Sequence, residues 1–385
     1  MKSLSSYIFY WKYSSSLYFK NLKNLLILKG QPLFLWYNPH MKGLNRPKYN
    51  KKWLEAFSFI VSILFTQISL NASETDNYLA WDKEIQDSTE EINRYYNELM
   101  VNALRKVKRR PFMRKKCERV ATWIGKSIVK IDQKYTDHWV KKNKKIDRFP
   151  KYGTKKWDYL KKTIYKKVLK LGVNMSPTIN INGIYMGSDK ISHFFGIGLV
   201  YYGFYLKKLK TMKMKKSSLP IQKRQMKAVK HALDLGILTE RVFLGESAMA
   251  SGVFSYGDME SNYQGLKFFR SLCEGKTPRI KKVSKHTWKL VRPLDIKSYA
   301  NPKWDETFYS NHYQKSRWKH VKPYLKKYCK DRFKPIVRER FEYYKSIDYE
   351  SFSSRYLKEK AKAGKLPDPL EHSLDRLCQN QQIKP

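Results

Sequence analysis

A segment in the middle of the chain carries an acid and a base at a spacing that could make them work together. It contains Asp189, His193, Gly196 and Gly203. Side chains four and seven residues apart lie on one face of a helix. An aspartate beside a histidine can orient the imidazole and tune its affinity for protons, which suits acid–base catalysis. We expect the glycines to let a second helix approach closely beside this polar pair.

A second segment repeats the same design further along the chain. Asp258, Asn262 and Gly265 have the same spacing, and Glu246 lies between the two segments near the end of an apolar run. Three helices would then converge on one polar cluster. Its candidate catalytic residues are Asp189, His193, Glu246, Asp258 and Asn262.

This polar cluster admits several chemical uses and one structural alternative. It could do acid–base chemistry, hold a divalent metal ion on oxygen and imidazole ligands, or hydrogen-bond a polar headgroup. In the alternative, Ser255 and Asp258 form a capping box, and Asp189 favours the first turn of its helix. His193 and Asn262 would then be buried polar groups that fix helix register.

Established catalytic motifs do not decide between these uses. The sequence contains no G-x-S-x-G, P-loop, H-E-x-x-H or G-x-G-x-x-G motif. Asp305 and Glu306 are adjacent acids, but adjacent residues on a helix do not face each other. We therefore expect these two residues to cap a helix, and whether the protein is an enzyme stays open.

The order of these motifs resembles that of VanZ-like proteins and of YfiM-type predicted periplasmic lipoproteins. The residues that carry the resemblance are Asp189-Lys190-x-x-His193-Phe194, then Glu246, then Phe254-Ser255-x-x-Asp258-x-x-x-Asn262-x-x-Gly265. It covers residues 188–268. It implies an envelope location and a small helical module, and it implies no mechanism. The chain departs from both families, since its helices are less apolar than VanZ-like membrane spans and no lipid-linked Cys follows its leader.

Hydrophobic periodicity predicts a mainly α fold, an irregular helical bundle with a short β-hairpin near residues 177–186. Asn182-Gly183 is the turn signal for the hairpin. Apolar residues recur at helical spacing along most of the chain. The predicted helices cover residues 76–108, 112–145, 150–172, 191–206 and 226–250, one that begins near Ser255, and short ones around 310–346 and 348–363.

The N-terminal part has the three regions of a secretory signal peptide. Lys48, Lys51 and Lys52 form a basic region, Phe57–Leu70 is apolar, and small residues precede Ser73. The apolar run is shorter than the roughly 20 residues that a membrane span needs, so we favour cleavage over an N-terminal anchor. We expect export to the periplasm or outer cell envelope.

The chain divides by composition into five segments. We expect residues 1–40 to be an extension upstream of the true start at Met41, and residues 41–72 to be the signal peptide. A basic helical region (73–172), a core helical module (173–280) and an aromatic, basic C-terminal region (281–385) follow. An even number of cysteines in an exported chain predicts two disulfides, with three pairings open and a free thiol at Cys117 as the competitor.

The formal net charge of +46 predicts an anionic partner. For an exported chain the candidates are lipid headgroups, lipopolysaccharide or wall polymers, with peripheral membrane contact. The leading hypothesis is thus an envelope-associated protein of unassigned activity that binds an anionic surface through its basic face. An envelope hydrolase that uses the His/Asp/Glu cluster is the first alternative. Extracellular nucleic-acid binding is the second, and the absence of a recognised nucleic-acid module weighs against it.

Overall fold

A computed structural model describes residues 73–112, 115–132, 139–140, 142–167, 174–241 and 252–379. The predicted extension (1–40), the predicted signal peptide (41–72) and Glu246 lie outside these ranges. Within them the protein is mainly helical, as predicted, and its strands form small two-stranded sheets. No helix in the described ranges is long and apolar enough to cross a membrane.

The helices follow the predicted order with altered boundaries. They are α1 (Thr89–Val107), α2 (Cys117–Asp132), α3 (Lys156–Leu160), α4 (Asp189–Ser192), α5 (Gly198–Met214), α6 (Ile221–Thr239), α7 (Tyr256–Cys273), α8 (Lys315–Leu325), α9 (Tyr328–Asp331), α10 (Pro335–Ile347), α11 (Phe352–Lys362) and α12 (Leu374–Cys378). A π-helical turn, His193–Ile197, joins α4 to α5, and the three together form one continuous rod.

Four pairs of strands connect distant parts of the chain. The strands are β1 (Ser73–Thr75), β2 (Asn174–Ser176), β3 (Thr178–Ile181), β4 (Ile184–Gly187), β5 (Val253–Phe254), β6 (Ile280–Lys282), β7 (Trp288–Leu290) and β8 (His312–Tyr313). β1 pairs in parallel with β2, whereas β3–β4, β5–β8 and β6–β7 are antiparallel. The predicted hairpin is β3–β4. Asn182 and Gly183 have φ angles of 50° and 82°, as a tight hairpin turn requires.

Two predicted helices are shorter in the structure because side-chain carboxylates accept hydrogen bonds from their backbone N–H groups. Helix α1 begins at Thr89, where Asp87 accepts the Thr89 N–H at 3.0 Å, and not at residue 76. Within 150–172, only Lys156–Leu160 is helical among the described residues. The buried carboxylate of Asp76 accepts the Ile164 N–H at 2.7 Å, so this backbone bonds outside its own segment.

The rod packs against α7 through two glycines, of which only one was predicted. A Cβ on Gly265 would lie 1.9 Å from the Phe194 carbonyl oxygen, and one on Gly198 would lie 2.7 Å from the Gly265 Cα. The prediction that Gly196 and Gly203 make the close approach is wrong, since a Cβ on either would meet no atom within 4 Å. The π turn at His193–Ile197 contains more residues than an α-helical turn, so the regular α-helical spacing does not hold across it, and Gly198 is the residue that faces α7.

Aromatic side chains fill the core around this crossing. The rings of Tyr96 and Phe195 stack with centroids 4.0 Å apart. Phe194 contacts Phe268 and Trp304 in tilted arrangements at 5.4 and 6.0 Å. These five side chains are fully buried and come from α1, the rod, α7 and the loop beyond it. The core therefore fixes the rod and α7, which carry the candidate site.

The four cysteines form two disulfides, as predicted. Cys117 at the start of α2 pairs with Cys273 at the end of α7, and Cys329 in α9 pairs with Cys378 in α12. The alternative of a free thiol at Cys117 is therefore wrong. Two disulfides are typical of proteins that fold in an oxidising compartment.

Removal of the Cys117–Cys273 disulfide, which closes the longer of the two loops, should destabilise the protein measurably. Cys117 and Cys273 are 156 residues apart, and closing so long a loop restricts the unfolded chain strongly. We expect the Cys117→Ser/Cys273→Ser variant to lose about 2–5 kcal/mol of unfolding free energy in urea titrations. Free thiols in the native, unreduced wild-type protein would contradict this pairing.

Two glycine substitutions should have opposite effects on stability. Gly265→Ala places a Cβ against the Phe194 carbonyl, so we expect a loss of about 1–3 kcal/mol from overpacking. Gly203→Ala is the matched control on the open face of α5, where alanine should add about 0.8–1 kcal/mol through helix propensity. Thermal unfolding of both variants measures the difference. A neutral Gly265→Ala would mean that the two helices are not in this close contact.

Candidate functional site

The candidate site forms where the start of the rod meets the start of α7. Asp189, Lys190 and His193 project from the first turns of the rod, directly after the β3–β4 hairpin. Asp258 and Asn262 lie in the first two turns of α7. Helix α7 starts there because the Ser255 hydroxyl caps it, accepting the Asp258 N–H at 3.0 Å. The capping interaction predicted for this serine is therefore present, and it coexists with the polar cluster.

The centre of the cluster is the ammonium group of Lys190, whose side chain is completely buried. Its Nζ lies 2.8 Å from Asp189 Oδ2, 2.8 Å from Asp258 Oδ1 and 2.6 Å from Glu306 Oε1. Glu306 reaches it from the loop between the Pro302–Trp304 turn and β8. Charged hydrogen bonds of this length are strong, and a buried ammonium needs them to offset the loss of its hydration. We call Asp189, Lys190, Asp258 and Glu306 the ion cluster.

Neighbouring hydroxyl groups hold the carboxylates in place. The Thr75 hydroxyl donates to Asp189 Oδ1 at 2.8 Å, and the Ser255 hydroxyl donates to Glu306 Oε1 at 2.9 Å. Gly187 makes room for the first contact, since a Cβ there would lie 2.0 Å from Asp189 Oδ1. The ion cluster thus joins β1, the rod, α7 and the loop after residue 304.

The pKa values of the cluster follow from burial and from this arrangement. Burial lowers the pKa of Lys190, but the three carboxylates outweigh it and hold that pKa well above its usual value. Burial acts to raise the pKa of Asp258, yet His193 and Lys190 keep it below the usual value. Burial raises the pKa of Glu306 despite Lys190, and its Oε2 has no hydrogen-bond partner among the described residues. Glu240, which Asp258 faces, has a pKa raised well above normal, mainly by burial.

His193 stands at the edge of the ion cluster with acceptors on both sides of its ring. Nδ1 lies 3.1 Å from Asn262 Oδ1, and Nε2 lies 3.4 Å from Asp258 Oδ2. Because a carbonyl and a carboxylate oxygen only accept, a protonated His193 donates from Nδ1 to Asn262, while the contact of Nε2 with Asp258 is an ion pair longer than an ordinary hydrogen bond. The His193 side chain is 16% exposed and that of Asp258 is 13% exposed, so this edge faces solvent.

This geometry suits proton transfer to and from a bound molecule. His193 can give its Nε2 proton to a substrate atom, while Asp258 and Asn262 hold the ring. Within the described residues, no hydroxyl or thiol hydrogen-bonds to His193, so water is the nucleophile that this arrangement can serve. Lys190 stays buried behind Asp258 and acts on the site through that carboxylate.

Binding of a divalent metal ion, one of the uses that the sequence leaves open, can be tested against the same residues. Asp189, His193 and Asp258 place one ligand atom each within 4.8 Å of one another, as a metal site requires. However, the Lys190 ammonium lies 2.8 Å from both aspartates. A divalent ion would share these oxygens with a positive charge at contact distance, so the residues fit an ammonium better than a metal.

A second group of possible metal ligands fits a metal poorly for a different reason. His312, Glu371 and His372 also place ligand atoms within 4.8 Å. His372 Nδ1 accepts the Tyr313 N–H at 3.0 Å, so a neutral His372 carries its hydrogen on Nε2, the nitrogen that faces Glu371. Burial and His312 lower the pKa of His372 to about 4. Its remaining nitrogen therefore offers a donor, not a lone pair.

The structure brings together four of the five predicted site residues. Asp189, His193, Asp258 and Asn262 converge as predicted, and Glu246 lies outside the described residues. Of the two aspartates, Asp258 makes the ion pair with the His193 ring, whereas Asp189 contacts Lys190 and Thr75.

Sequence reasoning missed the two residues that complete the ion cluster. No site role was predicted for Lys190, because a lysine is expected at the surface. It directly precedes the apolar run that begins at Ile191. Glu306 was assigned a capping role together with Asp305. The two acids in fact serve separate networks, since Asp305 accepts from Thr307 and from the Tyr344 hydroxyl. Their separation agrees with the expectation that adjacent acids do not form a pair.

Comparisons with known proteins add no further assignment. No protein-family model, curated protein or solved structure matches the chain. The resemblance of residues 188–268 to VanZ-like and YfiM-type proteins therefore stays a prediction.

Removal of the central cation should destabilise the fold in a pH-dependent way. Lys190→Met leaves three buried carboxylates facing each other, so we expect a loss of about 3–5 kcal/mol of unfolding free energy at pH 7. Loss of the ammonium raises the carboxylate pKa values, so protonation restores the variant and the deficit shrinks as pH falls toward 4.

The matched control is Lys345→Met, which removes an exposed pair with Glu342. That substitution should cost less than about 1 kcal/mol. A Lys190→Met protein as stable as wild type at pH 7 would contradict a buried, charged Lys190.

Proposed function

We propose that this chain is an exported hydrolase of the cell envelope in which His193 is the general acid–base. The observation that carries the proposal is the position of the imidazole. The ring hydrogen-bonds Asn262 and forms an ion pair with Asp258. Its edge remains in contact with solvent beside the buried ion cluster. Ionisable groups whose pKa values are shifted by burial and by specific charged partners are candidates for a functional site. The two disulfides support export.

The reaction follows from the hydrogen positions at His193. The imidazolium donates its Nε2 proton to the leaving group as the bond to the substrate centre breaks. The neutral ring then takes a proton from the water molecule that attacks the same centre, which restores the imidazolium. Asp258 stays ionised and stabilises the protonated ring. The bond between Nδ1–H and Asn262 fixes the orientation of the ring, with Nε2 beside Asp258 at the partly exposed edge of the ion cluster.

Substitution of the imidazole separates this function from a structural role. We expect His193→Gln to lower hydrolysis by about 10²–10⁴-fold on whichever class the wild type cleaves in a panel of ester, phosphoester, glycoside and peptide substrates. Its unfolding free energy should change by less than about 1 kcal/mol, since a glutamine can keep the Asn262 contact. His320→Gln, on α8 and outside the ion cluster, is the control.

Asp258→Asn provides a second readout of the same site. Without the carboxylate the protonated ring that gives its proton to the leaving group loses its charged partner, so the rate of hydrolysis should fall. Loss of stability in His193→Gln together with equal activity of both proteins on every substrate would show that the residue only fixes helix register.

A further inference from the structure

The hairpin formed by α5 and α6 gathers positive charge at its far end. Residues 207–230 contain ten Lys and Arg residues and no Asp or Glu. They cover the end of α5, the connection 215–220 and the start of α6. The two helices are antiparallel, because Tyr201 near the start of α5 packs on Gly236 near the end of α6. We call residues 207–230 the basic tip.

The lysines of the basic tip face solvent and have no acidic partners in the part of the chain that the structure describes. The exposed ones are Lys207, Lys210, Lys213, Lys215, Lys216, Lys223, Lys227 and Lys230. The folded protein does not neutralise this charge itself. A surface of this kind attracts an anionic partner.

Exposed apolar side chains lie among these lysines. Met214 is 73% exposed, Ile221 is 46% exposed and Met226 is 45% exposed. Met214 ends α5 and Ile221 begins α6, so both stand at the same end of the hairpin. A soluble polyanion can be bound by lysines alone and offers no apolar surface that would bury such side chains. An anionic bilayer uses both, since its headgroups attract the lysines and its interface accepts the apolar groups.

We propose that the basic tip docks the protein on an anionic lipid bilayer. The lysines contact headgroup phosphates, and Met214, Ile221 and Met226 enter the boundary between headgroups and acyl chains. The basic tip is then the segment that accounts for the expected association with an anionic envelope. It does not depend on catalysis at His193.

Vesicle binding of the mature protein tests this proposal. Wild type should co-sediment with vesicles of equal parts phosphatidylglycerol and phosphatidylcholine, and much less with phosphatidylcholine alone. Lys213→Glu/Lys215→Glu/Lys223→Glu should bind the anionic vesicles at least about a hundred-fold more weakly, because each interfacial lysine contributes a factor of about five. Met214→Ser/Ile221→Ser/Met226→Ser should bind at least several-fold more weakly through the lost apolar contact.

Two controls make the test specific to the tip. Lys315→Glu/Lys319→Glu/Lys322→Glu changes the net charge equally on exposed positions of α8 and should bind almost as wild type does. His193→Gln should also bind normally, so failure here and failure of the hydrolase proposal are distinguishable. Circular dichroism spectra identical to wild type confirm that the variants are folded.

Three outcomes would overturn the proposal. Equal losses in the α8 control and the tip variant would show that overall charge, and no specific surface, drives binding. Full binding by the serine variant would show that charge alone binds the vesicles, which would contradict the entry of Met214, Ile221 and Met226 into the bilayer. Absence of wild-type binding to anionic vesicles would exclude lipid docking outright.

Discussion

The buried ammonium of Lys190 is the interaction on which the rest of this structure depends. Asp189, Asp258 and Glu306 each bring a carboxylate oxygen within 2.8 Å of it. They come from the rod, from α7 and from a loop about fifty residues further on, so one cation fixes three distant pieces of the chain. Such a cluster adds little net stability, but it strongly penalises every arrangement that leaves a charge unpaired. The glycine contact between the rod and α7 is close because this cluster and the aromatic core hold the two helices together.

The net charge of the ion cluster explains why a histidine, His193, stands at its edge. Three carboxylates outnumber one ammonium, and the raised pKa of Glu306, due first to burial, reflects that excess. When its ring is protonated, His193 reduces this excess of negative charge from the partly exposed edge beside Asp258. The same rod that begins at the cluster ends at the basic tip. Its 26 residues, 189–214, span about 39 Å at a rise of about 1.5 Å per residue. The rod thus connects the proposed site to the proposed membrane contact.

Sequence periodicity predicted the helical class, the β3–β4 hairpin and most helices, because these depend on local patterns. The shared-face spacing also brought Asp189, His193, Asp258 and Asn262 together correctly. The π turn at His193–Ile197 could not be read from spacing, and it moved the contact glycine to position 198. Lys190 and Glu306 were missed because their pairing joins residues 116 positions apart, and no local pattern encodes such a contact.

The charge state of Lys190 is the most direct measurement of this account. Nitrogen-15 NMR of its side chain, assigned with Lys190→Arg, reports whether Nζ is an ammonium and how fast its protons exchange. We predict an ammonium resonance with slow exchange that persists to a pH at which the exposed lysines have already lost their protons, because the three carboxylates raise its pKa. A neutral amine near pH 7, or titration at or below the pH of the exposed lysines, would contradict the ion cluster.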